Sequence, residues 1–190
     1  MNSPSHARAD SRMPQLLDAA AAQFAARGYE AASIRDIVRS VGMLPGSVYC
    51  HFANKDELLA AVYGEGVRRI CQAVAAAADQ HTDPWARLEA ACVAHLEALL
   101  DQSAYAKVIV SVQPESVPAQ TAALIALRDG YERQIIALLD ALPLRPDADR
   151  FAARVMLLGA LNWTPTWFRP QRSSPAQIAR SFLAVLRSGV

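Results

Sequence analysis

The sequence of 190 residues lacks the features that mark membrane, secreted and metal-binding proteins. No apolar run approaches the roughly 18 residues that a membrane-spanning helix requires, so we expect no membrane partner. Residues 1–13 carry charged side chains and no apolar centre, which is unlike a secretory signal, and we expect a flexible arm over residues 1–11. The three cysteines, Cys50, Cys71 and Cys92, have no metal-type spacing and an odd number. We therefore expect free thiols in a cytoplasmic protein.

The chain also has little net charge, only +1. Residues 1–55 hold six basic and four acidic side chains, whereas the remainder holds 13 basic and 14 acidic ones. This basic bias at the N-terminal end is weak, so a single copy would bind a polyanion poorly. If DNA is the partner, we expect two copies to bind it together.

Apolar side chains are plentiful, at 53% of the sequence, and alanine dominates them, which favours helices over strands. Apolar positions recur at helical spacing along the whole chain and predict an all-α fold of about nine helices. The predicted helices span residues 11–27, 33–41, 45–52, 54–79, 84–101, 105–112, 119–142, 147–168 and 175–188.

The most informative stretch lies between residues 33 and 57. It reads as two short helices joined by a tight turn, with a third helix following. Capping-box pairs, in which side chains at the first and fourth positions satisfy each other's backbone amides, are predicted for Ser33 with Asp36 and for Asn54 with Glu57. The arrangement is typical of a helix-turn-helix that reads DNA.

Over residues 12–60 the sequence resembles the TetR family of transcriptional regulators. The matching residues are Phe24, Gly28, Tyr29, Ser33, Ile37, Gly42, Gly46, Tyr49, His51, Phe52 and Lys55–Leu59. The resemblance implies a homodimeric, ligand-responsive repressor. It implies a three-helix DNA-binding domain at 12–56 and a ligand-binding and dimerisation domain at 57–190.

Carried over position by position, the resemblance implies contacts with double-stranded operator DNA. The implied contact residues are Ser33, Ile34, Arg35, Leu44, Pro45, Gly46, Ser47, Tyr49, His51 and Lys55. Free amides at a helix start can hold phosphate, and both the amide and the ammonium of Lys55 are candidates for that role. Arg39 is a further exposed candidate. The family usually has serine or threonine where Leu44 stands; leucine cannot cap a helix, but it can touch a thymine methyl group.

The C-terminal half has a second resemblance, to a TetR subgroup that senses acyl-coenzyme A thioesters. It is carried by Gly159–Thr164, Trp167, Arg169, Pro170, Ile178 and Ala179. We expect a mostly apolar effector pocket that includes Tyr63, Cys92, Leu96, Tyr105, Ile109, Tyr131, Asn162 and Trp163. The alternative is that Asn162, Trp163 and Trp167 are packing and dimer-contact residues.

The two C-terminal helices carry more apolar surface than one core requires, which predicts a four-helix dimer interface between two copies. The expected interface residues are Phe151, Val155, Leu158, Trp167, Ile178, Phe182 and Val185.

The sequence has no phosphate-cradling glycine loop, no nucleophile elbow and no metal-type histidine spacing. His95 and Glu97 lie two positions apart, so they do not face each other on a helix as an acid–base pair would. We therefore expect neither enzymatic activity nor a cofactor nor a metal. The alternative that stays open is an all-helical enzyme or ligand carrier with the same apolar pocket.

Overall fold

The computed structural model describes residues 12–189, and the side chains of all of them except Pro45 and Gly189. Within this range the protein has nine α-helices and no strand, which confirms the all-α prediction. The helices are α1 (Met13–Ala31), α2 (Ile34–Ser40), α3 (Pro45–Val48), α4 (Lys55–Ala78), α5 (Pro84–Leu100), α6 (Ala104–Ser111), α7 (Thr121–Asp140), α8 (Arg150–Trp167) and α9 (Pro175–Gly189). The predicted arm over residues 1–11 lies outside the described residues.

Capping side chains explain where several helices begin. Asp83 accepts a hydrogen bond from the amide of Ala86 at 2.8 Å, as its position before a proline predicts. Asp149 caps α8 in the same way, so α8 begins at Arg150 instead of the predicted position 147. Among the described helices none is both long and apolar enough to cross a membrane.

The protein comprises two compact units, and the first includes residues 12–66 and 102–126 within the described range. Its core joins α1 to α2 and α6, and α2 to α3. The hydroxyl of Tyr105 on α6 donates to the carboxylate of Asp18 on α1 at 2.9 Å. A side chain at Gly66 would place its Cβ 2.7 Å from the terminal methyl group of Ile109, so α4 and α6 lie in close contact at this glycine.

The second unit comprises residues 67–101 and 127–189 within the described range. Here α5 packs against α8 and α9, and α8 packs against α9. The guanidinium of Arg150 donates to the carbonyls of Leu139, Asp140 and Leu142 at 3.2–3.4 Å, and so satisfies the end of α7. Both α4 and α7 contribute residues to each unit. The functional boundary that the sequence predicts after residue 56 stays a prediction.

Candidate functional site

The first helix of the predicted helix-turn-helix, α2, begins without the capping box that the sequence predicts. Ser33 has an extended backbone, but its hydroxyl accepts no hydrogen bond from the first turn of α2. The carboxylate of Asp36 pairs with Arg27 at 3.8 Å and with Arg39 at 3.6 Å. The prediction for Ser33 and Asp36 was therefore wrong, because the Asp36 carboxylate lies between two cations and not over the amide of Ser33.

A tight turn follows at Gly42, whose φ of 63° is in the left-handed region that favours glycine. The second helix, α3, is regular for a single turn, Pro45–Val48, where the sequence predicts two. The next residues form an irregular turn in which the amides of His51 and Phe52 both donate to the carbonyl of Val48 at 2.9 Å. The Val48 side chain is fully buried and anchors α3 in the first unit.

The outer face of α2 and α3 is exposed and carries both cations and apolar groups. Leu44 is 79% exposed and Tyr49 is 52% exposed, which is unusual for side chains of their size. Arg35 and Arg39 are exposed on α2. The Ser47 hydroxyl donates to the carbonyl of Leu44 at 2.7 Å, so its proton is used within α3 and its oxygen can only accept. This face presents mainly arginine, tyrosine and leucine side chains to solvent.

Lys55 differs from the prediction, because its ammonium group faces into the first unit. Its Nζ donates to the carbonyls of Tyr29 at 2.8 Å, Glu30 at 3.0 Å and Ala32 at 3.4 Å. It also lies 4.4 Å from the centre of the Tyr29 ring, in a cation–π contact. The Tyr29 hydroxyl donates to Asp56, and burial together with this carboxylate raises the pKa of Tyr29. The Lys55 side chain thus serves to join α1 to α4; its backbone amide, in the first turn of α4, is the part that stays a candidate for phosphate.

The remaining predicted DNA contacts lie on the same part of the first unit. Ile34 and His51 are partly buried. Gly46 is exposed, and a side chain added there would meet no other atom within 4 Å, so the space above its backbone is open. Pro45 begins α3, and its side chain lies outside the described part of the chain.

The predicted effector residues divide between the two units. The first unit holds Tyr63, Tyr105 and Ile109, and the second holds Cys92, Leu96, Tyr131, Asn162 and Trp163. Asn162 and Trp163 lie on the exposed side of α8, and Trp163 is 66% exposed. Since Leu161 and Thr164 occupy the buried positions of that turn, Asn162 and Trp163 do not join the buried members of the set.

His95, which the sequence does not mark as a site residue, is among the most buried side chains of the second unit, at 1% exposure. The hydroxyl of Tyr131 is hydrogen-bonded to its Nδ1, and the two rings stack 5.4 Å apart. Burial lowers the pKa of His95 from 6.5 to about 4 and raises the pKa of the nearby Cys92 thiol to about 12, so both groups are uncharged near neutral pH. The available signal was spacing, because His95 follows Leu88 by seven residues and Cys92 by three on the buried stripe of α5.

The C-terminal helices carry an exposed apolar face. Its large members are Phe151, Val155, Met156, Trp163, Trp167 and Val185. Leu158 and Ile178, which were expected in the dimer interface, are instead buried within the same unit. Phe182 is partly buried and packs edge-on against Trp167 at 6.3 Å. Within the described residues, no group of three His, Cys, Asp or Glu side chains is placed to hold a metal ion.

Comparison with known proteins agrees with this architecture. Residues 16–62 match the family model described as bacterial regulatory proteins, tetR family, and residues 81–190 match the tetracyclin repressor-like C-terminal domain. The chain is 27% identical over 189 residues to the HTH-type transcriptional repressor KstR2 of Mycobacterium tuberculosis, covering 95% of this chain and 94% of that repressor.

Two solved structures have the same fold. The crystal structure of the superantigen PfiT is 32% identical, with a TM-score of 0.77 over 90% of this chain and 93% of that one. The structure of AibR in complex with isovaleryl coenzyme A and operator DNA is 23% identical, with a TM-score of 0.74 over 94% of this chain and 100% of that one. The C-terminal family model alone spans more than half of the sequence. The chain belongs to the tetR family of bacterial regulatory proteins.

Proposed function

We propose that the protein is a ligand-responsive transcriptional repressor that binds operator DNA as a homodimer through the outer face of α2 and α3. The observation that carries this proposal is that exposed face. Arg35, Arg39, Leu44 and Tyr49 point away from a core in which Ile37, Val38 and Val48 are fully buried. A rigid support beneath exposed basic and apolar side chains is what a major-groove reader requires.

Each group on this face has a role that its chemistry favours. The guanidinium groups of Arg35 and Arg39 and the hydroxyl of Tyr49 are donors for phosphate oxygens, which position the protein on the duplex. The backbone at Gly46 can approach a base pair closely. Leu44 offers a methyl-rich surface that suits the C5-methyl group of thymine. Backbone amides at Ser33, Ile34 and Lys55, with His51 beside them, complete the proposed phosphate contacts.

The exposed apolar face of α8 and α9 supports the homodimer. Phe151, Val155 and Trp163 recur at intervals of four and eight residues, so they form one stripe along α8. Gly159 lies within that stripe, and a Cβ added there would meet nothing within 4 Å outside its own helical backbone, so a second helix could approach closely. A dimer would present two copies of α3 to successive major grooves, about 34–36 Å apart.

The core of the second unit is the proposed effector site. KstR2 is described as a ketosteroid transcriptional regulator, and AibR was crystallised with both a coenzyme A thioester and operator DNA. The fold therefore accommodates an effector and DNA in one protein. We propose an apolar carbonyl compound or an acyl-coenzyme A thioester as the effector, and a location in the cytoplasm, where the chromosome lies in bacteria.

A gel-shift experiment on duplex DNA from upstream of the protein's own gene tests the proposal. The full chain is expected to shift this duplex at a lower protein concentration than an unrelated duplex of equal length. Its affinity for the duplex is expected to fall as the salt concentration rises. Addition of decanoyl-coenzyme A, but not of free coenzyme A, is the first effector condition to apply. Equal binding of both duplexes at every salt concentration would contradict the proposed function.

A further inference from the structure

Arg12, at the start of α1, is a cation of the first unit that lies outside the predicted set of DNA contacts. Its backbone carbonyl accepts a hydrogen bond from the amide of Leu16 at 3.0 Å, so its position is fixed by the first turn of α1. Its guanidinium donates to the carbonyl of Gly42 at 3.5 Å. Gly42 forms the turn between α2 and α3. Arg12 therefore places a cation beside the turn that precedes α3.

Most other basic side chains near this turn are occupied within the protein. Residues 12–56 hold five basic side chains in all. Two of them share the carboxylate of Asp36, and the ammonium of Lys55 donates to three backbone carbonyls. Arg12 and Arg35 are exposed, and neither has an ion-pair partner within the described part of the chain. The positive charge around α3 therefore comes mainly from these two arginines.

The position of Gly42 limits how far the Arg12 guanidinium can lie from α3. Gly42 lies three residues before Pro45, where α3 begins, and this is at most about 11 Å of extended chain. The major groove that receives a recognition helix is about 12 Å wide, and phosphates line both of its edges. A guanidinium beside the turn is thus placed at the edge of the groove, close to a phosphate and away from the base pairs.

The hydrogen bond to Gly42 leaves Arg12 able to bind an anion. A guanidinium has five N–H donors, and the carbonyl of Gly42 uses one of them. A carbonyl has no net charge, so the positive charge of Arg12 is not neutralised by this bond. The bond also restricts the long side chain before DNA arrives, which reduces the conformational entropy that is lost on binding. A planar guanidinium held in this way suits the oxygens of a phosphodiester.

We propose that Arg12 binds a phosphate of the DNA backbone at the edge of the major groove that receives α3, and so positions α3 without reading a base. This inference rests on the proposed function and adds a contact that the predicted set lacks. Phosphate contacts fix the register of a protein on the duplex, so Arg12 sets how α3 enters the groove. In the dimer, one arginine from each protomer makes such a contact.

Fluorescence anisotropy over a salt series tests the contact, with the full chain and duplex DNA from upstream of the protein's own gene. Arg12→Gln removes the charge and retains an N–H donor. It is expected to bind about tenfold more weakly than the wild type or weaker still, with a slope of log affinity against log salt concentration that is shallower by about one per protomer. Arg12→Lys retains the charge and is expected to recover the slope. Arg172→Gln, which removes an exposed arginine of the second unit, is the matched control and should equal the wild type.

Two measurements separate a phosphate contact from mere support of the turn. Urea denaturation is expected to give the same midpoint for the wild type and for Arg12→Gln, since the bond to Gly42 is exposed. Uncharged methylphosphonate groups are then placed at one phosphate at a time along the duplex. At the phosphate that Arg12 binds, the replacement is expected to weaken the binding of the wild type about fivefold and to leave that of Arg12→Gln nearly unchanged.

The outcomes also separate this inference from the proposed function. Equal affinity of the wild type for this duplex and for an unrelated one would contradict the regulatory proposal, whereas the salt slopes of the two proteins on either duplex still decide the phosphate contact. An Arg12→Gln slope equal to that of the wild type would overturn the inference, whether or not the affinity falls. So would a methylphosphonate series in which both proteins respond alike at every position. A wild type that binds neither duplex would overturn both proposals.

Discussion

The ammonium of Lys55 donates a hydrogen bond to the backbone carbonyl of Tyr29 at 2.8 Å, and so joins the start of α4 to the end of α1. The helix α1 carries a backbone irregularity at Gly28, where φ is 77°, and this leaves the carbonyls that follow without regular helical partners. Lys55 satisfies three of them. A cation expected to meet phosphate therefore stabilises the first unit from within.

Replacing Lys55 with methionine is expected to lower the free energy of unfolding by about 1–3 kcal/mol, since three carbonyls would lose a charged donor in a partly exposed site. Urea denaturation measures this, with Lys107→Met, at an exposed position of α6, as the control. The slope of log affinity for DNA against log salt concentration is expected to be the same in the Lys55→Met variant as in the wild type. An unchanged stability together with a slope reduced by about one per protomer would show that the ammonium contacts phosphate after all.

Because His95 is buried and neutral, the free energy of unfolding is expected to depend on pH. Its pKa is about 4 in the folded protein against 6.5 when unfolded, so the unfolded state binds the proton more readily. The contribution of the neutral imidazole to the free energy of unfolding, on the order of 3 kcal/mol, is expected to be fully present above about pH 6.5. It is expected to be lost as pH falls towards 4. Denaturation of the wild type and of His95→Gln between these values measures it. A wild-type curve that matches the variant's at every pH would contradict the assignment.

Leu44 is expected to read a thymine methyl group in the operator. Replacing that thymine by uracil removes the methyl and nothing else, so the wild type should lose up to about tenfold in affinity. Leu44→Ala should lose a similar amount on the natural operator and be indifferent to the replacement. Fluorescence anisotropy titrations of both proteins against both duplexes measure the four affinities that this comparison needs. If replacing thymine by uracil weakens the binding of Leu44→Ala and of the wild type equally, Leu44 does not contact the methyl group.

The apolar stripe of α8 is expected to hold the dimer together. Val155→Asp places a charge in its centre and should raise the dimer dissociation constant at least a hundredfold, because the charge would be desolvated on association. Sedimentation at micromolar concentration is expected to give a dimer for the wild type and a monomer for the variant. Val110→Asp, at an exposed valine of α6, is the control and should stay dimeric. A monomeric wild type would place the interface in doubt.

Much of the fold could be predicted because helix signals are local. Spacing of apolar residues placed α5 and α6 within one or two residues, and the proline after Asp83 marked the start of α5 correctly. The predicted capping box at Ser33 was wrong because other side chains compete for the carboxylate of Asp36. Asp36 is held by Arg27 and Arg39, and this three-residue cluster removes the capping box that local spacing indicates at Ser33.

The candidate sites show the same division. Leu44 and Tyr49 are exposed on the predicted DNA-reading face. The contacts of the Lys55 ammonium could not be predicted, because the carbonyls that it meets lie 23 to 26 residues earlier, where no periodicity reveals them. The pairing of His95 with Tyr131 could not be predicted, because Tyr131 lies 36 residues away on another helix.

DNA binding by the outer face of α2 and α3 is the central claim, and one measurement tests it most directly. Fluorescence anisotropy is recorded over a salt series, with duplex DNA from upstream of the protein's own gene, for the wild type, Arg35→Ala with Tyr49→Phe, and the exposed control Arg172→Ala. We expect the double variant to bind at least tenfold more weakly with a shallower salt slope, and Arg172→Ala to match the wild type. Affinity and slope that are the same in all three proteins would contradict the claim.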